Sequence, residues 1–316
     1  MCAKSFIGRV LTTAFCILAA ASGVAVGQEV PEPKAVPRLQ IVPQPDGQAS
    51  FQRDGMEITR YHFGPGLNRP FLFPIIGPAG RSLTRMGHPH DPESHSHHNS
   101  VWISHNDVGD VDFWSDRRLG TIRHKRIVQY EDEGKRSTIT ADNEWVDKDG
   151  KVLLSETRRI GVVLLEGKEW LLVIDSTFAA KDKPVTLGKT PFGVIGVRMA
   201  KTIGVNDGGG RIRNSEGGVN EKEIFWKRAR WVDYSGAIEN GTIEGITLFD
   251  HPGNPNHPSH FHVRNDGWMG ASLTFEGPRE IPRGQVLHLR YGLYVHSDMK
   301  LAADIEKQWK RFADMP

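Results

Sequence analysis

Between residues 120 and 187, β-branched and aromatic residues alternate with polar ones, and turn-forming residues recur at short intervals. A period of two sends successive side chains to opposite faces of an extended chain, so the pattern predicts half-buried β-strands. Strands are predicted over 138–145 and 152–164, joined by Asp147-Lys148-Asp149-Gly150, whose Asp and Gly suit a hairpin turn. A third, over 170–178, follows Glu166-Gly167-Lys168 and completes an antiparallel meander. Further strands are predicted over 71–76, 101–104, 224–234, 245–249, 268–275 and 285–294. After Asp298 the period changes: Leu301, Ile305, Trp309 and Phe312 share one helical face and predict a C-terminal helix packed against the sheet edge. Many strands, 34 glycines and one clear helix predict an all-β fold, a large sandwich or a barrel.

The first residues break this pattern. Lys4 and Arg9 precede an apolar run from Val10 to Val26, and the small residues of Ala25-Val26-Gly27 suit cleavage before Gln28. Residues 1–27 are therefore expected to be a signal peptide, and the product secreted or periplasmic. Thr12, Thr13, Ser22 and Gly23 interrupt the run, which falls short of the roughly 20 apolar residues of a spanning helix. Cys16 follows Thr13-Ala14-Phe15, without the small residue expected before a lipidated cysteine, so no membrane insertion is expected after cleavage. Residues 28–45 hold five prolines and read as an extended leader, leaving 46–316 as a single domain. Both cysteines, Cys2 and Cys16, lie in the segment to be removed, which excludes thiol chemistry and disulfides from the remainder. Removing Lys4 and Arg9 also leaves basic and acidic residues in balance, which argues against a nucleic-acid partner. The compact basic stretches, from Arg117-Arg118 to Arg126 and Lys227-Arg228 with Arg230, read as solvated strand faces.

Six of the 14 histidines fall between His88 and His105, and four more between His251 and His262. The first group runs through His88-Pro89-His90 and His95-Ser96-His97-His98 to Trp102, His105, Asp107 and Asp112-Phe113-Trp114. It lacks alternation before Val101 and predicts a loop leading into a strand, a place where binding chemistry concentrates. Three readings stand side by side. Imidazoles at His-x-His spacing with an aspartate could hold zinc, iron or copper, although no HExxH helix accompanies them. A histidine paired with a carboxylate could move protons at a sugar hydroxyl or ring oxygen, and with this chemistry no cofactor is expected. The third reading is a polar loop of hydrogen-bonded histidines. The second group, Asp250-His251-Pro252-Gly253-Asn254-Pro255-Asn256-His257-Pro258 with His260, His262 and Arg264, predicts a rigid loop after a strand. If both groups reach one mouth of the sheet, imidazoles about 150 positions apart meet. Arg198 ends an apolar strand and needs a buried anionic or carbonyl partner. Glu216 lies in a polar loop, and the nearby Gly208-Gly209-Gly210 has neither the lysine nor the spacing of a nucleotide loop. Trp102, Trp114, Trp145, Trp226, Trp231 and Trp268 offer faces on which sugar rings stack, although most are expected in the core.

Several motifs together resemble a known family. They are Arg69-Pro70-Phe71 to Leu83-Thr84, His97-His98-x-x-x-Trp102-x-x-His105 ending in Asp112-Phe113-Trp114, and Trp226-Lys227-Arg228-Ala229-Arg230-Trp231-Val232-Asp233-Tyr234-Ser235-Gly236. Phe249-Asp250-His251-Pro252, His262-Val263-Arg264 and Leu289-Arg290-Tyr291-Gly292-Leu293-Tyr294-Val295-His296 complete the set. The chain resembles, over nearly all of 28–316, an exported-protein family that carries the label "methane oxygenase PmoA". That label sets no expectation of membrane methane chemistry, because no spanning segment follows residue 27. The resemblance implies a galactose-mutarotase-like supersandwich, a large antiparallel β-sandwich that binds sugars on a concave sheet face. Aldose epimerases carry an early Arg-Pro strand and an Asn-His-x-His-Gly loop, to which Arg69-Pro70 and His95-x-His97-His98 correspond in position. Where the family has Asp-His-Pro-His-His-Arg, this chain has Ser94-His95-Ser96-His97-His98-Asn99, so two charges are missing.

The resemblance implies His97 or His98 as proton donor and a late glutamate, Glu276 or alternatively Glu216, as base. Arg69, Trp102, His105, Arg198, His262 and Arg264 are the implied substrate contacts, the arginines Arg198 and Arg264 holding hydroxyls or a uronate. The expected partner is a carbohydrate or sugar-derived small molecule, undergoing mutarotation, epimerisation or eliminative cleavage. Two alternatives accompany this expectation: a metal-dependent oxygenase or hydrolase with His97, His105 and His251 or His262 as ligands, and a non-catalytic sugar-binding envelope protein.

Overall fold

The alternating segment folds into the meander β6 (Gly120–Glu133), β7 (Arg136–Asp147), β8 (Val152–Leu164) and β9 (Trp170–Ala180). Gly150 turns the β7–β8 connection at φ +86°, which side-chain-bearing residues rarely adopt. Asp147 Oδ1 accepts the amides of Asp149 and Lys151 at 3.0 and 2.9 Å, fixing the same turn. The computed structural model describes residues 36–87, 95–239 and 241–316. The segment 1–27, the leader up to residue 35, and His88 and His90 lie outside the described residues.

The meander forms part of an eight-stranded sheet. Its order is β12 (Arg211–Asn214), β14 (Trp231–Glu239), β15 (Thr242–Asp250), β19 (Val286–Ser297), then β9, β8, β7 and β6. A nine-stranded sheet runs β1 (Leu39–Gln44), β2 (Gln48–Arg53), β3 (Met56–His62), β4 (Phe71–Ile75), β5 (Val101–Ser104), β11 (Val194–Arg198), β17 (Trp268–Ser272), β16 (His260–Arg264) and β13 (Lys227–Arg228). Neighbours in both sheets pair antiparallel. The strands β10 (Val185–Leu187) and β18 (Arg279–Ile281) form a separate ribbon. Val101, Ile103, Ile195, Val197, Phe261, Val263 and Met269 of one large sheet share a core with Ile139, Ile160, Ile174, Leu248 and Leu293 of the other. The fold is an all-β antiparallel sandwich, as the periodicity predicts.

Three boundaries differ from expectation. β1 occupies Leu39–Gln44, so the fold takes in the end of the Pro-rich segment. Leu39 and Ile41 are buried, and Pro43 is tolerated because β1 is an edge strand with a partner on one side only. Pro37–Pro316 accordingly clusters as one compact unit. The strand expected over 224–234 is split: α2 (Asn220–Ile224) ends there, Trp226 turns at φ +60°, and β13 and β14 join different sheets. Its alternation was real but belonged to two strands. The C-terminal helix α3 (Ala302–Ala313) lies on a sheet face rather than at an edge, with Ile305 and Phe312 buried among Leu171, Val173, Trp231, Phe249 and Tyr294. Those strands carry a second apolar row on their outward side, which the helix covers. The remaining helices are short, among them α1 (Val205–Gly208). Among the described residues no helix is long and apolar enough to cross a membrane.

Candidate functional site

The nine-stranded sheet also carries a second row on its outward face. In β5, Val101 and Ile103 enter the core and Trp102 points away; in β16, Phe261 and Val263 enter and His262 and Arg264 point away. Strand register aligns Phe71, Trp102, Gly196, Gly270 and His262 across five adjacent strands. A Cβ at Gly196 would lie 2.7 Å from Trp102 Cζ2 and 2.8 Å from Trp268 Cη2. The bare backbone at 196 and 270 is what lets the two indoles, with centroids 5.4 Å apart, lie down over the sheet. With Phe71 and Trp114 they form an aromatic cluster separate from the core.

Two loops fold over this bed, and Arg69 ties them together. Its Nη1 donates to His97 O at 3.0 Å and Asn99 Oδ1 at 2.6 Å, and its Nη2 to Trp114 O at 2.7 Å and Ser115 O at 3.0 Å. Nε donates to Phe113 O at 3.3 Å. Arg69 is buried and its donors are used within the protein, so it positions the histidine loop and is not the substrate contact expected from sequence.

The open cavity over this bed measures about 530 Å³, within the range of small-molecule sites. It is lined by the imidazoles of His95, His97, His98 and His262 together with Arg264, Asp266 and Trp268. Trp114, Arg117 and Phe192 also contribute, with Asn106, Asp112 and Ser115. His98 stacks between Trp268, at 4.9 Å, and His95, at 4.5 Å, while His97 meets it edge-on at 4.5 Å.

Burial dominates the electrostatics of these rings. It pulls His97 down to about 4, helped by the Arg69 guanidinium, and His262 to about 4, helped by Arg264. The same cause, with His97 and Arg198 nearby, holds His98 well below its ordinary value. These rings are therefore neutral at pH 7, each with one donor and one acceptor nitrogen. Each formal charge on the lining meets an opposite charge within the protein. Arg117 pairs with Asp112 at 3.1 Å, Arg264 with Glu221 at 3.2 Å, and Asp266 with Arg198 at 2.9 Å. Four polar atoms around the cavity have no hydrogen-bond partner within the protein: His98 Nδ1, Trp102 Nε1, Asn106 Oδ1 and His262 Nδ1. Such groups are costly in a native interior, and this grouping marks the site as one not optimised for stability alone.

The structure thus brings His97, His98, His262 and Arg264 together. The other expected contacts lie elsewhere. Trp102 is floor beneath the cavity, only 1% exposed. Arg198 is fully buried; it braces Asp266 and approaches His95 Nδ1 at 3.5 Å, so it holds wall residues rather than ligand. His105 faces inward: its Nδ1 accepts the Asp107 amide at 3.1 Å and its Nε2 donates to Thr274 Oγ1 at 3.0 Å. His251 lies beyond the other sheet, donating from Nε2 to Ala313 O at 3.1 Å and packing on Phe312. His257 stacks on Trp309 there, so the Pro-rich loop anchors α3, and only the strand that follows reaches the cavity. His97, His105 and His251 consequently occupy three separate environments and cannot share an ion. Among the described residues no three His, Cys, Asp or Glu are grouped to hold a metal.

The two proposed bases are also displaced. Glu276 has a side chain 58% exposed and pairs with Arg228 at 2.6 Å, and Glu216, 55% exposed, faces Arg230 at 3.6 Å. Neither lines the cavity. The carboxylates on the wall are instead Asp112 and Asp266. Asp266 lies in the β16–β17 turn, four residues after His262, and carries no sequence signal that separates it from other turn aspartates. Phe192, beside Pro191, is similarly anonymous in sequence.

A family model described as "Family of unknown function (DUF6807)" matches residues 48–310. No curated protein matches the chain in sequence. Among solved structures, heparan sulfate lyase HepC from Pedobacter heparinus is similar at 9% identity and TM-score 0.42, covering 81% of this chain; the chain spans 36% of that protein. A 4-alpha-glucanotransferase from Thermococcus litoralis is similar at 11% identity and TM-score 0.31, with 83% of this chain and 40% of that one covered. A GalM/aldose epimerase homologue from C. elegans gives 8% identity and TM-score 0.33, with 84% of this chain and all of that one covered. These superpositions are too loose to carry an argument about activity.

Proposed function

The chain belongs to the DUF6807 family, described as of unknown function, and for this member we propose that the cavity on the nine-stranded sheet binds a carbohydrate. The observation that carries the reading is the combination of aromatic walls with a polar surface that is electrically neutral. A sugar presents apolar ring faces and hydroxyls that both donate and accept. Trp114, Trp268 and Phe192 offer the first a surface, and the neutral rings of His97 and His262 offer the second one donor and one acceptor each. Because the lining charges are already paired, a neutral sugar unit enters without breaking an ion pair. The signal-like segment 1–27 supports placing this binding outside the cytoplasm.

Proton transfer receives less support than binding. A histidine with a pKa of about 4 is protonated in roughly one molecule per thousand at pH 7, so His97 is a poor resting proton donor. With Glu216 and Glu276 outside the cavity, the acid and base implied by the resemblance to epimerases are not assembled. The non-catalytic binding protein is therefore the reading adopted.

Calorimetric titration with a panel of neutral mono- and oligosaccharides tests it. Saturable binding by the wild type, weakened at least tenfold in His97→Ala and Trp268→Ala variants that retain native melting, is expected. Lack of binding across the panel, or binding indifferent to both substitutions, refutes the proposal.

A further inference from the structure

A second cavity, of about 540 Å³, lies on the other side of the turn that walls the first. Consecutive residues divide the two: Arg117 lines the first cavity and Arg118 the second. Asn68, also on the second cavity, donates to Asp116 Oδ1 at 3.1 Å, and the same Asp116 faces Arg69, the residue that clamps His97. One short turn is therefore the partition between them.

Their charge is different. The lining of the second cavity includes Arg118, Arg123 and His124, and no carboxylate. Among the described residues neither Arg118 nor Arg123 has an ion pair. Glu144, opposite Arg123 in the β6–β7 ladder, is held by Lys125 at 3.2 Å, and Asp116 is engaged by Asn68 and Arg69. Arg118 also sits at φ +57°, a left-handed conformation that a non-glycine residue adopts at a cost, and that recurs at functional positions. His124 Nδ1 is buried without a hydrogen-bond partner in the protein. Phe63, Leu67 and Ile122 supply apolar wall.

We propose that this second cavity accepts the anionic group, carboxylate or sulfate ester, of an acidic oligosaccharide whose neutral neighbouring unit occupies the first cavity. The proposal rests on the carbohydrate reading of the first cavity and adds the class of sugar. Two unpaired guanidinium groups flanking a partly apolar hollow give an oxyanion charge-assisted hydrogen bonds, while the charge-balanced first cavity gains nothing from a second anion. A ligand spanning both gains from linkage, since the second group is delivered at high effective concentration.

The test compares a neutral oligosaccharide, a uronate-containing one, a sulfated one and inorganic sulfate, each titrated calorimetrically into the wild-type chain and an Arg118→Ala/Arg123→Ala double variant. Acidic oligosaccharides are expected to bind the wild type at least tenfold more tightly than the neutral one, with an advantage that shrinks as salt rises. The double variant is expected to lose that advantage and to bind the neutral oligosaccharide as the wild type does. Carboxylate and sulfate are separated by which acidic oligosaccharide shows the larger loss. Equal wild-type affinity for neutral and acidic saccharides, or an acidic preference that survives the double substitution, overturns the proposal. If no saccharide binds, the carbohydrate reading fails and the spanning ligand with it. Sulfate binding that the double substitution abolishes then still establishes the anion site, and its absence removes that too.

Discussion

Gly196→Ala puts a methyl group where the aromatic bed of the cavity needs bare backbone. On backbone grounds alone the change should help: Gly196 sits in a strand at ordinary φ, and Gly→Ala at a compatible site stabilises by about 0.4–1 kcal/mol. The new Cβ, however, would meet Trp102 Cζ2 at 2.7 Å, Trp102 Cε2 at 2.8 Å and Trp268 Cη2 at 2.8 Å. Each ring also packs against Trp114 and against His98, so a shift of either disturbs the whole cluster. Overpacking of this kind costs about 1–3 kcal/mol, so the net expectation is a loss of roughly 0.5–2 kcal/mol. Gly161→Ala, in β8, is the control: its Cβ meets only Thr138 Oγ1 at an ordinary 3.7 Å, and it should be neutral or stabilising. Urea unfolding gives both stabilities, and near-ultraviolet circular dichroism reports the tryptophan cluster. Gly196→Ala should lose stability, change the aromatic spectrum and weaken ligand binding. If it gains stability like the control, with an unchanged spectrum, the packing argument for the site is wrong.

Arg69→Lys keeps the charge but not the five-donor fork, and should cost on the order of 3 kcal/mol while raising hydrogen exchange in residues 95–100 and 113–115; unchanged exchange there contradicts the clamp. His97, His105 and His262 have folded pKa values of about 4 against an ordinary 6.5, so between those values the unfolded chain binds more protons. Their contribution to stability is complete above about pH 6.5 and declines as pH falls toward 4, on the order of 1 kcal/mol per pH unit for each; urea midpoints that stay level from pH 7 to 5 refute this. Glu216→Gln and Glu276→Gln, outside the cavity, should bind saccharide as the wild type does, and a tenfold loss in either would restore it as a site residue. Phe312→Ala removes the buried anchor of α3 and should cost about 3–5 kcal/mol, measured by thermal or urea unfolding.

Local periodicity carried most of the architecture. The β7–β8–β9 meander was legible because alternation and Asp-Gly turn chemistry agreed over more than thirty residues, and α3 because Ile305, Trp309 and Phe312 keep one face. Short segments were not: β1 was masked by Pro43, an edge-strand residue, and the 224–234 alternation spans two sheets. For the site, two remote histidine groups were visible, and part of each does converge. What sequence could not supply was the face on which each ring falls. His262 turns outward because Phe261 and Val263 turn inward, while His251 and His257 lie past a strand end and support α3. Glu276 and Glu216 were placed by analogy with a late catalytic glutamate, and only the structure shows each exposed beside an arginine, outside the cavity.

The most direct measurement is a crystal structure of the chain grown with a bound oligosaccharide. A sugar ring seated against the joined faces of Trp114 and Trp268, with hydroxyls within hydrogen-bond distance of His97 and His262, is the predicted result. A saccharide seated elsewhere on the sandwich, with this cavity left to solvent, would contradict the account.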